Sequence, residues 1–288
     1  MVKILSSKNY DEPSHNYGDC IIYVDGGTAI IFDCGSEEHA KRAIEILNSY
    51  GISKATVILS HNDDDHFKGI PYLISKGKVN NLFTILLLKY KDELLDRIDD
   101  KRRNRNSIGN AITELYDNIS KLSGTVTLKD VYKDESELPS EVKRIGPTLE
   151  YMLDAAAKGL DSREGNTIDG ETVTNAASVQ IQLSFNNQKI LLTGDCAPEA
   201  IPKQIDLKEM DYIQLPHHGK ATLAEKIFER VYPSNNVTYI VSDNTGDSNG
   251  GSDDLNGKGK NIKNTKTIGD IELANTKQSS YTGKLLGK

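Results

Sequence analysis

The chain has 288 residues, and its 42 acidic residues outnumber its 35 basic ones, which gives a net charge near −7. This charge argues against a protein that binds nucleic acid by overall electrostatic attraction. A local basic strip lies within 89–106 and contains Lys101, Arg102, Arg103 and Arg105. Acidic neighbours favour a solvated helix there, and contact with a phosphate backbone is the alternative. No apolar run reaches membrane-spanning length, no secretory signal is evident and cysteines are few, so we expect a cytoplasmic protein without a membrane partner.

Strands and helices alternate along the chain. Apolar runs predict strands over 20–24, 28–35, 55–60, 82–88, 178–185, 188–196 and 237–242, with a further strand inside 211–219. The first two strands form a hairpin around Gly26. Ser36 suits the N-cap of a helix that ends near Gly51, and we expect His39 on the exposed surface of this helix. A second helix is predicted over 221–232.

Residues 89–172 differ in character from the segments on either side. Charged, helix-prone stretches over 89–121 and 147–159 are separated by polar segments. We interpret 89–172 as a helix-rich insertion or lid within a single domain that spans 1–288.

Metal-binding residue types stand at the ends of three predicted strands. They are His61, Asp63, Asp65 and His66 in the stretch SHNDDDHFKG, then Asp195, and then His217 and His218. Imidazole and carboxylate together can hold two divalent ions that share a bridging carboxylate. A solvated acidic turn is the alternative for the first cluster. A calcium-binding EF-hand is excluded, because counting from Asp63 places Ile74 where the loop needs glutamate.

The motifs IIFDCG, ILSHNDDDHFKG, LLTGD and LPHHG occur in an order that resembles the metallo-β-lactamase superfamily. More narrowly, the chain is similar to the hydrolase domain of ComEC-type DNA-uptake competence proteins and their free-standing relatives, through YGDCIIYV and IGPTLEY as well. The resemblance runs from about Asp19 to Ile271. It implies an α/β fold, namely a four-layer αββα sandwich with metals at the edge between the two sheets.

The resemblance also implies a set of site residues. Two divalent metal ions, Zn²⁺ or Mn²⁺, would be held by His61, Asp63, Asp65, His66, Asp195 and His217. Asp195 would bridge the ions, and Asp33 would orient the ligands from behind. One of His217 and His218 would complete the second metal position. The other, taken here as His218, would join Asp63 and Asp65 as a catalytic group.

The sequence departs from the superfamily pattern in two respects. Many members have histidine where this chain has Asp63, and the chain has no histidine from 67 to 216. The site is therefore rich in oxygen ligands, which shifts the metal preference from zinc towards manganese or magnesium. Asn175 and Ser178 lie where a further ligand is expected and are candidate substrate-binding residues. Lys220 replaces the usual serine, so it either contacts a substrate phosphate or is a solvated surface lysine.

The resulting hypothesis is a metal-dependent hydrolase that uses a hydroxide held by two metals. The resemblance favours a phosphodiester substrate, either a nucleic acid or a nucleotide. Hydrolysis of a small carbonyl compound such as a lactone, thioester or lactam is the first alternative. A degenerate domain that binds without turnover is the second. His15 and Asp19 could line the mouth of a pocket, although an ordinary loop is the alternative for them.

Overall fold

The computed structural model describes residues 1–12, 15–98, 104–123, 126–161, 163–234, 236–243 and 251–273, with the backbone only over 115–123. The predicted basic residues Lys101, Arg102 and Arg103 lie outside the described residues. No described helix is long and apolar enough to span a membrane.

Two large sheets form the body of the protein. The first has seven strands in the order β15-β1-β2-β3-β4-β5-β6. Its strands are β1 (Val2–Ile4), β2 (Ile21–Asp25), β3 (Thr28–Phe32), β4 (Ala55–Ile58), β5 (Val79–Thr84), β6 (Thr127–Asp130) and β15 (Ile271–Leu273). The hairpin of β2 and β3 is antiparallel, whereas β3 to β6 run parallel.

The second sheet has six strands in the order β14-β13-β12-β11-β10-β7. Its strands are β7 (Val142–Gly146), β10 (Gln180–Phe185), β11 (Gln188–Leu192), β12 (Tyr212–Gln214), β13 (Thr238–Val241) and β14 (Asn261–Asn264). Strands β11 to β14 run parallel. A separate small ribbon pairs β8 (Thr167–Ile168) with β9 (Glu171–Thr172).

The helices connect these strands. They are α1 (Glu37–Ser49), α2 (Asp64–Phe67), α3 (Ile70–Ser75), α4 (Lys91–Arg97), α5 (Arg105–Ser123), α6 (Leu149–Leu160), α7 (Val173–Ala176), the irregular turn α8 (Pro216–Gly219), α9 (Ala221–Val231) and α10 (Thr265–Ile268). Short 3₁₀ turns occupy Leu87–Tyr90, Glu135–Glu137, Pro198–Ala200, Leu207–Glu209 and Ser252–Asp254.

Alternation along the strands divides the core into layers. Ile21 and Tyr23 of β2 pack into the cluster between the sheets, while Ile22 faces the cluster formed with α1 and α3. Successive side chains of a strand point to opposite faces, so one strand contributes to both clusters. On the far side, α9 packs its buried face against the second sheet. The order of layers is therefore helix, sheet, sheet, helix.

Local predictions for the first part of the chain are confirmed. The hairpin joins β2 and β3, and the Ser36 side chain caps α1 by accepting from the amide of His39. The predicted strand over 82–88 instead ends at Thr84 and continues as a 3₁₀ turn.

The segment 89–172 contributes to both sheets. It supplies β6 at the edge of the first sheet and β7 at the edge of the second. The segment is therefore not an addition as a whole, although its helices and the ribbon of β8 and β9 lie outside the two sheets. Its edge strands are short and mostly polar, so a search for apolar runs does not detect them.

The parallel strands determine where the polar loops meet. The loops that follow β3, β4 and β11, and the turn that follows β12, leave the carboxyl ends of their strands. Ligand sites of α/β folds form at such ends. All three sequence clusters therefore lie at one edge of the molecule.

Candidate functional site

The first cluster follows β4 and is held in place by close backbone packing. The amide of Asp19 donates to the carbonyl of Asp65 at 2.9 Å, and that of Cys34 donates to the carbonyl of His66 at 2.8 Å. Gly18 has a φ of +67°, and a Cβ there would lie 1.6 Å from the Asp65 carbonyl oxygen. Only glycine allows this approach, so the entry loop fixes the backbone that carries Asp65 and His66.

Asp33 is fully buried behind this cluster. One carboxylate oxygen accepts from the amide of Ser60 at 2.7 Å. The other accepts from the Ser60 hydroxyl at 2.7 Å and from Nδ1 of His66 at 2.8 Å. The Nδ1 of His66 therefore carries its proton, which leaves Nε2 with a free lone pair.

The tautomer of His61 follows from the same network. Ser60 has one hydroxyl proton and gives it to Asp33, so its oxygen accepts from Nδ1 of His61 at 2.9 Å. The Ser178 hydroxyl lies 3.2 Å from the same Nδ1. The Nε2 of His61 is again the unprotonated nitrogen.

The second pair of histidines lies in the strained turn after β12. His217 and His218 have φ values of 51° and 53°, in the left-handed region that non-glycine residues rarely adopt. The Nδ1 of His218 donates to the Ser242 carbonyl at 2.9 Å and lies 3.1 Å from Asp19. The Nδ1 of His217 donates to Glu171 at 2.7 Å. Both rings therefore present Nε2 to the site.

The four Nε2 atoms and Asp195 converge on one region. The Nε2 of His66 lies 3.2 Å from one carboxylate oxygen of Asp195, and those of His217 and His218 lie 3.8 and 4.0 Å from the other. The Nε2 atoms of His61 and His66 and this same oxygen of Asp195, the one that faces His66, are buried without a regular hydrogen bond, and His66 pairs with the oxygen only when its Nε2 is protonated. Their ligand atoms lie within 4.8 Å of one another.

A second group of ligand atoms adjoins the first. Asp65, His66 and His218 also place their ligand atoms within 4.8 Å of one another, and Asp65 lies 3.2 Å from Nε2 of His218. The side chain of Asp63 is about half exposed, with an oxygen 3.7 Å from Nε2 of His61. A polar cleft of about 620 Å³ opens over both groups.

The protonation states of these histidines and carboxylates depend on one another. Burial opposes protonation of His66 and His218, but nearby carboxylates, Asp195 foremost, raise the pKa of both imidazoles well above the usual value. Burial likewise opposes ionisation of Asp195, and the imidazoles, His66 first, hold its pKa well below the usual value. A cation would therefore compete with protons for the same nitrogens.

The residues present fit a divalent metal. Buried imidazole and carboxylate atoms without partners are costly unless a ligand satisfies them. Each Nδ1 is fixed by an acceptor, as in protein metal sites whose histidine ligands are oriented from behind. The donor set of nitrogen and oxygen suits zinc or manganese.

The remaining predicted residues have different surroundings. Ser178 is fully buried behind His61, so it supports the ring instead of facing the cleft. Asn175 lines the cleft. Lys220 forms an ion pair with Glu171 at 2.6 Å and is one-third exposed, so it is not a freely solvated surface lysine.

The geometry of the histidine pair differs from the assignment based on sequence. His218 is buried and belongs to a ligand group, whereas His217 is more exposed and belongs to neither group among the described residues. His218 is thus the better candidate ligand, and His217 the better candidate for contact with substrate.

Two residues that orient these histidines were not identified from the sequence as supports. Asp19, noted only as a residue of the entry loop, accepts from Gln214 at 2.5 Å and lies against His218. Glu171 lies in β9, within the segment interpreted as an insertion. The surface assignment of His39 is wrong, because its ring is fully buried and lies 3.1 Å from the Gly18 carbonyl and 2.8 Å from the Tyr10 hydroxyl.

Comparison with known proteins bears on the fold. A family model described as Metallo-beta-lactamase superfamily matches residues 15–99. This match includes Asp33 and the whole first cluster. With the two sheets and their outer helices, it confirms the predicted metallo-β-lactamase sandwich. The sequence has no match among curated proteins.

Several solved structures are similar to this chain at low sequence identity. The short form of human tRNase Z is 13% identical, with coverage of 83% of this chain and 92% of that one and a TM-score of 0.42. The metallo-beta-lactamase fold protein YhfI of Bacillus subtilis is 12% identical, with 84% and 85% coverage and a TM-score of 0.46. Zn²⁺-bound PqqB of Methylobacterium extorquens is 11% identical, with 95% and 100% coverage and a TM-score of 0.46.

Proposed function

We propose that this chain is a metal-dependent hydrolase that acts on phosphodiesters. The observation that carries the proposal is the convergence of the unpartnered Nε2 atoms of His61 and His66 on the unpartnered oxygen of Asp195. A proton cannot satisfy all of these atoms at once, whereas a divalent cation accepts electron pairs from each of them.

The two ligand groups support two cation positions. In this proposal, His61 and Asp63 hold the first cation, and Asp65, His66 and His218 hold the second. Asp195 would contribute to both positions, because it shares one group of ligand atoms with His61 and His66, and its other oxygen lies 4.0 Å from Nε2 of His218. A pair of cations supplies Lewis acidity at the scissile group and lowers the pKa of water towards neutrality.

His217 is the proposed proton donor to the leaving group. Its Nε2 faces the site from the exposed side, and its Nδ1 is held by Glu171. Burial opposes protonation of His217, but the hydrogen bond to Glu171 and the charge of Asp195 raise its pKa. A protonated imidazole near neutral pH is a competent general acid.

The resemblance of the sequence motifs to ComEC-type hydrolase domains supports a phosphodiester substrate. Charge alone does not distinguish a diester from a monoester here, because Asp63, Asp65, Asp195 and the hydroxide of the proposed mechanism would together offset the four positive charges of two divalent cations.

The test compares a phosphodiester substrate with a carbonyl substrate after the protein is loaded with Mn²⁺ or Zn²⁺. We expect hydrolysis of bis-p-nitrophenyl phosphate and little turnover of a chromogenic lactam. The variant Asp195→Asn should lose bound metal and activity. Asp64→Asn is the matched control, because Asp64 opens α2 at the edge of the same cleft, has 77% of its side chain exposed and pairs only with Lys68 at 2.7 Å among the contacts described.

Two results would replace the proposal with its alternatives. Turnover of a lactone, thioester or lactam without turnover of the diester would assign the site to carbonyl chemistry. Equal metal content in wild type and Asp195→Asn, measured by elemental analysis, would indicate that the cluster does not hold metal and that the domain binds without this chemistry.

A further inference from the structure

An apolar cavity of about 300 Å³ opens beside the candidate metal site. It is lined by Ser60, His61 and Asn62 of the loop that carries the first ligands, and Asn62 also lines the polar cleft, so the cavity and the cleft adjoin at this residue. A substituent of a molecule in the cleft would enter the cavity beside Asn62.

The helices α6 and α7 form one side of the cavity wall. Met152, Ala156 and Leu160 recur every four residues along α6 and lie on one face of that helix. Val173 and Ala177 repeat the same spacing around α7 and face them. The wall contains no Asp, Glu, Lys or Arg among the described residues that line it.

On the metal side of the cavity, the Ser60 hydroxyl and the His61 ring are already engaged. Ser60 bonds to Asp33 and to His61, and the Nδ1 of His61 is held by the same hydroxyl. The opposite wall, formed by Ile85, Leu87 and α6, is aliphatic. Such a surface gains free energy by excluding water from an apolar group and offers little to a charged one.

We propose that this cavity binds an uncharged, apolar substituent of a small phosphodiester whose phosphoryl group lies at the metals. The inference rests on the proposed function and specifies its substrate class as a monomeric diester instead of a nucleic-acid strand. At roughly 30 Å³ for each water-sized group, the volume accepts about ten non-hydrogen atoms. An alkyl chain of about four to eight carbons or a single aryl ring meets this description.

The kinetic test uses p-nitrophenyl phosphodiesters whose second group is methyl, butyl or octyl. Each methylene that the cavity encloses should raise kcat/KM about fourfold, so the butyl ester should exceed the methyl ester by roughly sixtyfold. Ala156→Phe fills the cavity from α6, and Ala177→Phe fills it from the C-cap of α7. Each variant should reduce the ratio of kcat/KM for the butyl ester to kcat/KM for the methyl ester to about one. Glu45→Phe, on the exposed face of α1, adds the same ring elsewhere and should keep the wild-type ratio.

Binding of non-hydrolysable ligands separates this inference from the proposed function. Butylphosphonate should bind the metal-loaded protein more tightly than methylphosphonate by calorimetry, with the difference lost in both filled variants. If this holds while no diester is hydrolysed, the proposed function fails and the cavity assignment stands. Equal kcat/KM for the methyl and butyl esters would overturn the inference. The inference would also be overturned if both Ala156→Phe and Ala177→Phe kept the wild-type ratio of kcat/KM for the butyl ester to that for the methyl ester. Faster cleavage of single-stranded DNA than of the butyl ester would overturn it as well.

Discussion

Replacement of Asp33 by asparagine should weaken metal binding without any change to a ligand. An asparagine side chain has one acceptor oxygen, whereas the Asp33 carboxylate now accepts from the Ser60 amide at 2.7 Å, the Ser60 hydroxyl at 2.7 Å and the His66 Nδ1 at 2.8 Å. In either orientation, the NH₂ group that Asp33→Asn introduces would face a donor.

His66 avoids a clash between two donors if its proton moves from Nδ1 to Nε2, because Nδ1 then accepts from the new NH₂ group. That tautomer has no lone pair at the nitrogen that faces Asp195, so it cannot bind a cation. A buried donor that lacks an acceptor costs about 1–3 kcal/mol. Metal affinity should therefore fall by roughly tenfold to a hundredfold.

Competition with a chromogenic chelator measures this change, and Asp130→Asn provides the control. Asp130 is equally buried and accepts from the amides of Leu86, Tyr132 and Lys133 and from the Tyr90 hydroxyl, with none of these bonds going to a candidate ligand. Asp130→Asn should lower the unfolding temperature but keep the metal affinity. Affinity within about twofold of wild type in Asp33→Asn would refute this explanation of how His66 is oriented.

Further predictions concern the supports of the site and the stability of the fold. Glu171→Gln removes the carboxylate that holds His217, and we expect kcat to fall about tenfold to a hundredfold with bound metal retained, measured by steady-state kinetics and elemental analysis. Gly18→Ala forces a Cβ against the Asp65 carbonyl in a left-handed conformation, so the free energy of unfolding should fall by more than about 2 kcal/mol in denaturant titrations. Burial lowers the pKa of His39 to about 4. Protons therefore favour the unfolded state, and stability should fall by up to about 3 kcal/mol as the pH falls from about 6.5 to about 4, whereas His39→Gln should lack this part of the pH dependence.

Each of these predictions has a control or a contrary result. Glu199→Gln removes an exposed glutamate that pairs with Lys226 at 2.7 Å and should leave kcat unchanged. Gly51→Ala has a φ of +68° but no atom near the added Cβ, so its cost should be clearly smaller than that of Gly18→Ala. Equal costs would contradict the role of close packing at Asp65. A wild-type pH profile in His39→Gln would show that this ring does not contribute to the pH dependence.

Sequence patterns predicted the elements whose signals are local. The hairpin of β2 and β3 and the capped helix α1 follow from alternation, turn residues and the N-cap Ser36. The candidate ligands could also be identified from the sequence, because each follows an apolar strand that ends in an unusual polar stretch.

Features that depend on distant contacts were not predictable in the same way. Glu171 is 46 residues from its partner His217, in a polar stretch without periodicity. His39 looks like a surface residue of an amphipathic helix, and only the entry loop, through Tyr10 and the Gly18 carbonyl, buries it. The edge strands β6 and β7 are stabilised by pairing with their neighbours and carry little apolar signal of their own.

The central claim is that the converging Nε2 atoms and carboxylates hold two divalent cations. Anomalous diffraction from crystals grown with Mn²⁺ or Zn²⁺ tests it most directly. We expect one peak beside His61, Asp63 and Asp195 and a second beside Asp65, His66 and His218. Crystals that show no peak at these residues, or a metal bound only elsewhere on the chain, would contradict it.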